Sequence, residues 1–233
     1  MTASRAWFIA GTDTEIGKTF ATCALIHAAR NRGLIALGMK PVAAGADLVG
    51  GERINEDAAR LQAAGSFDPG LAHLNPYCLK SPVAPHIAAA EEGVTLDGAI
   101  IRKHFDHLTR LADHVFVEGV GGFRVPLGPD YDTADLARDL ALPVILVVGM
   151  RLGCINHALL TTEAIHARGL RLAGWIANHI DPAMLRQHEN INALRDRIDA
   201  PLLGILPHTN DGNPAAVADH LTLPDQIETS PNR

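Results

Sequence analysis

The chain has 233 residues, 47% of them hydrophobic and 20% charged, a balance that excludes disordered and collagen-like classes and suits one sizeable globular domain. A formal net charge of -6, with no dense run of Lys or Arg, would repel a polyanion and argues against a nucleic-acid partner. No stretch approaches the roughly 20 apolar residues of a membrane helix, and three dispersed cysteines form neither a disulfide framework nor a zinc signature, so no membrane is expected and a reducing cytoplasm is the expected home.

Along the chain, short apolar runs alternate with stretches of helical period. Strands are expected at Ala6–Ala10, Leu34–Met39, Val115–Val117, Pro143–Val148, Leu172–Ala177 and Leu202–Leu206. Helices are expected at Lys18–Arg30, Glu56–Ala64, Ala134–Leu140, Ile155–Arg168 and Pro182–Ile198. Such alternation implies an α/β fold, a mostly parallel sheet with helices on both faces, whose ligands bind beyond the carboxyl ends of the strands. A single domain over residues 1–227 is expected, with a long excursion at Gly65–Pro85 and a frayed polar tail at Glu228–Arg233.

The first strand leads into Gly11-Thr12-Asp13-Thr14-Glu15-Ile16-Gly17-Lys18-Thr19 and then an apolar helix, which is the pattern of a phosphate-binding loop. Backbone N–H groups and the helix start surround a phosphate, Lys18 reaches the outer phosphates, and the Thr19 hydroxyl can ligate Mg²⁺. The usual spacing would put the first glycine at position 12, where Thr12 stands, with Gly11 one residue early. The second strand ends in Lys40-Pro41-Val42, which aims a lysine at the same phosphates. Asp57 and Glu118 are candidate carboxylates for a hard oxygen-ligated cation. Glu118 is the stronger of the two, because an acid after an all-apolar strand is costly without a partner, whereas Asp57 also reads as a helix-start acid. Gly119, Gly121 and Gly122 let backbone approach a ligand closely. Twelve histidines make chance pairs such as His104 and His107 expected, and these read as surface residues, not metal ligands.

Together with Asn75-Pro76-Tyr77, Pro85-His86, Val117-Glu118-Gly119-Val120-Gly121-Gly122, Leu152-Gly153-Cys154-Ile155-Asn156-His157 and Gly174-Trp175-Ile176-Ala177-Asn178, these segments resemble the dethiobiotin synthetase family, P-loop NTPase-like ligases, over about Phe8 to Pro207. The resemblance implies a homodimer that uses ATP and Mg²⁺ to join CO2 (or bicarbonate) to 7,8-diaminononanoate and close a ureido ring in biotin biosynthesis. It implies Lys18 and Lys40 as catalytic cations and Thr19, Asp57 and Glu118 as metal ligands. The nucleotide falls to Glu15, Ile16, Gly17, Lys18, Thr19, Phe20, Asp57, Glu118, Gly119 and Gly121, with Asn178 reading the base and Pro207 and His208 closing over it. The diamine and carbamate fall to Thr14, Lys40, Gly121 and Gly122, and to Leu152, Gly153, Cys154 and Asn156 lent by the neighbouring subunit. Ala44 and Ala84 stand where relatives often carry a hydroxyl.

Two other readings compete. A corrinoid-precursor amidase would carry a glutaminase domain, for which the chain offers no nucleophilic Cys pattern. A P-loop switch ATPase of the partition or membrane-recruited type would usually carry a lysine early in the phosphate loop and a basic amphipathic tail. Here positions 12–16 are Thr-Asp-Thr-Glu-Ile.

Overall fold

The computed structural model describes residues 4–209 and 212–224. The expected tail at Glu228–Arg233 lies outside the described residues. Six strands form one sheet: β1 (Arg5–Gly11), β2 (Ala36–Met39), β3 (His114–Glu118), β4 (Val144–Gly149), β5 (Leu172–Asn178) and β6 (Leu202–Leu206). Their order is β6-β5-β4-β1-β3-β2, and every neighbouring pair is parallel.

Alternation along the strands builds two cores. Phe8 and Ala10 point into one apolar layer with Val115, Val117 and Leu146, while Trp7 and Ile9 point into the other with Phe116, Ile145 and Val147. Both faces are covered, so the strands read as continuous apolar runs. The chain runs from β1 outward to β2 and later returns to β4 on the other side, which makes the carboxyl end of β1 the point where strand order reverses. Gly11 pairs with Val147, Ile9 with Glu118 and Met39 with Val117, so the phosphate-loop segment, Glu118 and Lys40 leave the sheet at one edge.

The expected strands all form, with ends shifted by at most two residues. Helices α1 (Lys18–Arg30) and α2 (Glu56–Ala64) have the expected bounds. The helix expected at Pro182–Ile198 is shorter, Gln187–Arg195. Asp181 closes a turn by accepting from the Ala183 and Met184 N–H groups, and Arg186 sits at φ 57, a left-handed conformation that interrupts helical geometry before Gln187. The Gly65–Pro85 excursion contains a helical turn, Leu71–Leu74, and a strand, Tyr77–Leu79, paired in parallel with Val42–Ala44. Among the described residues, two α-helices, Pro85–Glu92 and Gly98–Thr109, and a 3-10 helix, Ala215–His220, lie outside the expected elements. The second carried a legible signal: Ile101, Phe105 and Leu108 recur at helical spacing and are its buried face, and Asp97 caps it by accepting from Ala99 N.

His104 and His107 on that helix are not free surface residues. His73 stacks on His107 with ring centroids 4.0 Å apart, and its Nδ1 lies 3.0 Å from Nδ1 of His104, a hydrogen bond that needs one neutral ring as acceptor. Burial and then His73 depress the pKa of both, with Lys103 and His107 adding for His104 and Arg110 for His107. The unfolded chain therefore binds more protons below the ordinary histidine value, and stability falls as pH drops through about 6.5. His73→Phe keeps a ring in the stack and removes the contribution of His73 to both shifts. Its unfolding temperature should fall less between about pH 7 and pH 5.5 than that of the unaltered protein. Equal slopes in calorimetry would show that the cluster is not the titrating element.

Candidate active site

Lys18 opens α1 immediately after Gly17, whose φ of 76 is left-handed. A side chain at Gly17 would also collide with the Asn178 amide, so both conformation and space call for glycine. Asn178, at the end of β5, is buried and donates from Nδ2 to Ile16 O at 2.8 Å. That amide therefore grips the phosphate loop. Glu15 adopts φ 58, and its side chain is exposed beside that of Thr14.

The centre of the site is a buried cluster. Glu118 is fully buried, and its Oε1 accepts from Thr19 Oγ1 at 2.8 Å and from Lys40 Nζ at 2.6 Å. Lys40 also donates to Asp57 Oδ2 at 2.9 Å and to Gly119 O at 3.3 Å. Asp57 is carried by the first turn of α2, whose N-cap Asn55 accepts from the Asp57 N–H at 3.1 Å. Two elements, α2 and β3, thus meet on one lysine, and α1 joins them through Thr19 on Glu118. Glu118 Oε2 has no hydrogen-bond partner although it is buried. A buried carboxylate oxygen left unpaired is costly, and it marks a place where a cation or donor belongs.

The two lysines differ in their electrostatics. Lys18 donates to Gly121 O at 2.7 Å and has no carboxylate hydrogen bond among the described residues; burial, and then the neighbouring Lys40 charge, lower its pKa to about 8. For Lys40, burial alone would act the same way, but direct bonds to Glu118 and Asp57 outweigh it and raise the pKa. Burial would raise the Asp57 pKa, and Lys40 more than reverses that, with Thr19 assisting.

The glycine turn after β3 faces the phosphate loop: a side chain at Gly122 would stand within van der Waals contact of the Gly11 and Thr12 carbonyls, and one at Gly121 within contact of Thr14 Oγ1. Phe20 follows Thr19 on α1, and Pro207 and His208 follow β6, where His179 N donates to Leu206 O. Leu152, Gly153, Cys154 and Asn156 form the start of helix Cys154–Ala167, with Gly153 as N-cap at φ 96. This turn does not join the lysine cluster. Leu152 is 93% exposed and projects outward, although Arg151 ties the turn to Asp13 of the phosphate loop at 2.5 Å. The Asn75 contacts described below were missed as site features because the excursion carrying them has little periodicity.

Residues 5–216 match a family model described as an AAA domain. Over 224 residues, 96% of this chain and all of the relative, the sequence is 73% identical to the ATP-dependent dethiobiotin synthetase BioD of Aromatoleum aromaticum. The chain belongs to the ATP-dependent dethiobiotin synthetase family. The fold is shared more widely. A chain of the MinC:MinD cell division protein complex from Aquifex aeolicus aligns with a TM-score of 0.58 at 15% identity, covering 99% of this chain and 98% of that one. A ParA family ATPase from Chlorobium tepidum aligns at 0.56 and 11% identity, covering 98% and 95%. At such identity these two speak to the P-loop NTPase-like sheet alone. The family membership favours the ligase over the switch-ATPase reading.

The Lys40–Glu118 pair carries a prediction that does not depend on catalysis. Lys40→Met leaves the buried Glu118 short of its main partner, and should cost about 3–5 kcal/mol in urea unfolding. Glu118→Gln in the same background should recover part of that loss. Additive costs would mean that the two side chains are not energetically coupled.

Proposed function

We propose that this chain catalyses the ATP-dependent carboxylation and ring closure of 7,8-diaminononanoate with CO2 to dethiobiotin, releasing ADP and phosphate. The observation that carries the reading is the conjunction of family membership with Lys40 bonded to both carboxylates beside a phosphate loop gripped by Asn178. CO2 adds to one substrate amine to give a carbamate. A carbamate oxygen then attacks the γ-phosphorus and ADP leaves; the second amine attacks the carbamate carbon, phosphate leaves and the ring closes. No covalent bond to the protein is needed. The protein's task is to hold anions together, which calls for positioning and positive charge.

Lys18 serves the outer phosphates, and Lys40 lies between phosphate and carbamate. Mg²⁺ would be held by Thr19, Asp57 and Glu118, whose hard oxygens, including the unpaired Glu118 Oε2, suit that ion; when bound it neutralises phosphate charge. Glu15, Ile16, Gly17, Phe20, Gly119 and Gly121 surround the nucleotide, with Asn178, Pro207 and His208 toward its base. Thr14, Gly121 and Gly122 face the diamine. The outward turn at Leu152–Asn156 supports a homodimer in which that turn receives the carboxylate of the neighbouring subunit's substrate. We place this activity in one domain over residues 1–227, in the cytoplasm. No described helix is long and apolar enough to cross a membrane.

ATP turnover should require both the diamine and CO2, and Asp57→Ala or Glu118→Ala should raise the Mg²⁺ requirement or abolish turnover. ATP hydrolysis at one rate with and without the diamine would instead favour a switch ATPase. The neighbouring-subunit turn is tested separately through Asn156→Ala. Its diaminononanoate KM should rise about fivefold or more, with the ATP KM and the dimer mass by light scattering unchanged. An unchanged diamine KM would remove Asn156 from the substrate site.

A further inference from the structure

We infer that Asn75 is a positioning residue for the reaction, acting through the main chain of Lys40. Asn75 lies in the excursion between α2 and the strand Tyr77–Leu79, about thirty-five residues along the chain from the lysine. It is 5% exposed, and its Nδ2 donates to Lys40 O at 2.6 Å and to Tyr77 O at 3.1 Å. Immediately beside it, Lys40 N donates to Leu74 O at 2.8 Å, so Leu74 and Asn75 clamp both polar groups of the Lys40 main chain. On the next residue, Tyr77 N donates to Pro41 O at 3.2 Å, which extends the same attachment.

This clamp answers a local problem. β2 ends at Met39 on the edge of the sheet, and Pro41 has no N–H, so the backbone around Lys40 leaves the ladder with fewer ways to be held. Lys40 must nevertheless deliver its ammonium to Glu118 Oε1, Asp57 Oδ2 and Gly119 O at once. A long lysine side chain converts a small shift of its backbone into loss of that geometry, and misplacing a catalytic group by about 1 Å costs rate steeply. The two carbonyls also fix which way the amide faces, since only the NH2 end can donate to both; Oδ1 is buried without a partner. A donor is therefore required at position 75, and volume alone does not satisfy it.

The inference rests on the proposed ligase activity for its kinetic readout, and a second readout is independent of it. Asn75→Leu keeps the volume and removes the donor. Asn75→Asp keeps the shape and supplies a donor only while the introduced carboxyl is protonated, which burial against two carbonyls favours at low pH. For Asn75→Leu, kcat should fall about tenfold or more at every pH, with the ATP KM nearly unchanged because Lys18 and its loop are untouched. For Asn75→Asp, whose protonated carboxyl offers one donor in place of two, kcat relative to the unaltered enzyme should be partly retained at low pH and fall toward the leucine variant as pH rises. In the same samples, the slowly exchanging ammonium signal of Lys40, observed by nitrogen-15 NMR without substrates, should be lost in Asn75→Leu and follow pH in Asn75→Asp.

Should Asn75→Leu fail to fold, the pH profiles of Asn75→Asp decide alone. Unchanged kcat and Lys40 signal in both variants, or one pH-independent loss shared by both, would overturn the inference. If the Lys40 signal responds as expected while the unaltered protein makes no dethiobiotin, the clamp stands and the ligase reading fails. If dethiobiotin forms and neither kcat nor the signal responds, the clamp fails alone.

Discussion

A carboxylate with no exposed surface, Glu118, sits at the carboxyl end of the third strand of a six-stranded sheet, and the rest of the site is organised around the need to pair it. Left alone, such a charge would cost several kcal/mol. Lys40 and Thr19 supply its donors from the ends of two other segments, and Asp57 shares the lysine. The result draws β2, β3, α1 and α2 to one point. A charge cluster of this kind is a weak source of stability, since hydrophobic packing of the same volume often does as well. Its placement at the strand-order reversal, over two apolar layers that hold the strands rigid, fits a functional more than a stabilising role.

Two lysines close together acquire different electrostatics from their partners alone. Lys40 is held charged by two carboxylates, whereas Lys18, which donates to the Gly121 carbonyl, is buried beside another cation and has its pKa lowered to about 8. Positive charge on Lys18 is thus poorly compensated in the unliganded protein, and an arriving polyphosphate would supply the missing counter-charge. The backbone prepares the same place. Gly17 at φ 76, with the Asn178 amide in the space a side chain would fill, and Glu15 at φ 58 keep the loop in a conformation ordinary residues resist. Binding would then not have to order the loop, which lessens its entropic cost.

Much of this was legible beforehand because it rests on local signals. Uninterrupted apolar runs marked the buried strands, Gly17-Lys18-Thr19 after the first of them marked the loop, and an acid after Val115-Phe116-Val117 marked Glu118 as a group in need of a partner. Misreadings occurred where local signals were weak or were overruled. The turn of Asp181 and the left-handed Arg186 shortened a helix that the sequence extended back to Pro182. His104 and His107 stay partly exposed, but the stacking of His73 on them from another helix had no local signal. The hydrogen bond from the Asn178 NH2 group to the phosphate loop likewise had no local signal.

By itself, the sequence determined the α/β class, the places of the central strands, the phosphate loop and the family, because strand burial, helix starts and a glycine-framed loop are written in neighbouring residues. It also supplied the four polar side chains Thr19, Lys40, Asp57 and Glu118. Only the tertiary structure decided how they pair, which carboxylate is fully buried, that one Glu118 oxygen is left without a partner, and that Asn75 grips the main chain of Lys40. Those outcomes depend on parallel strand order and register, which bring together positions far apart in the chain and leave no periodic trace in the residues between them.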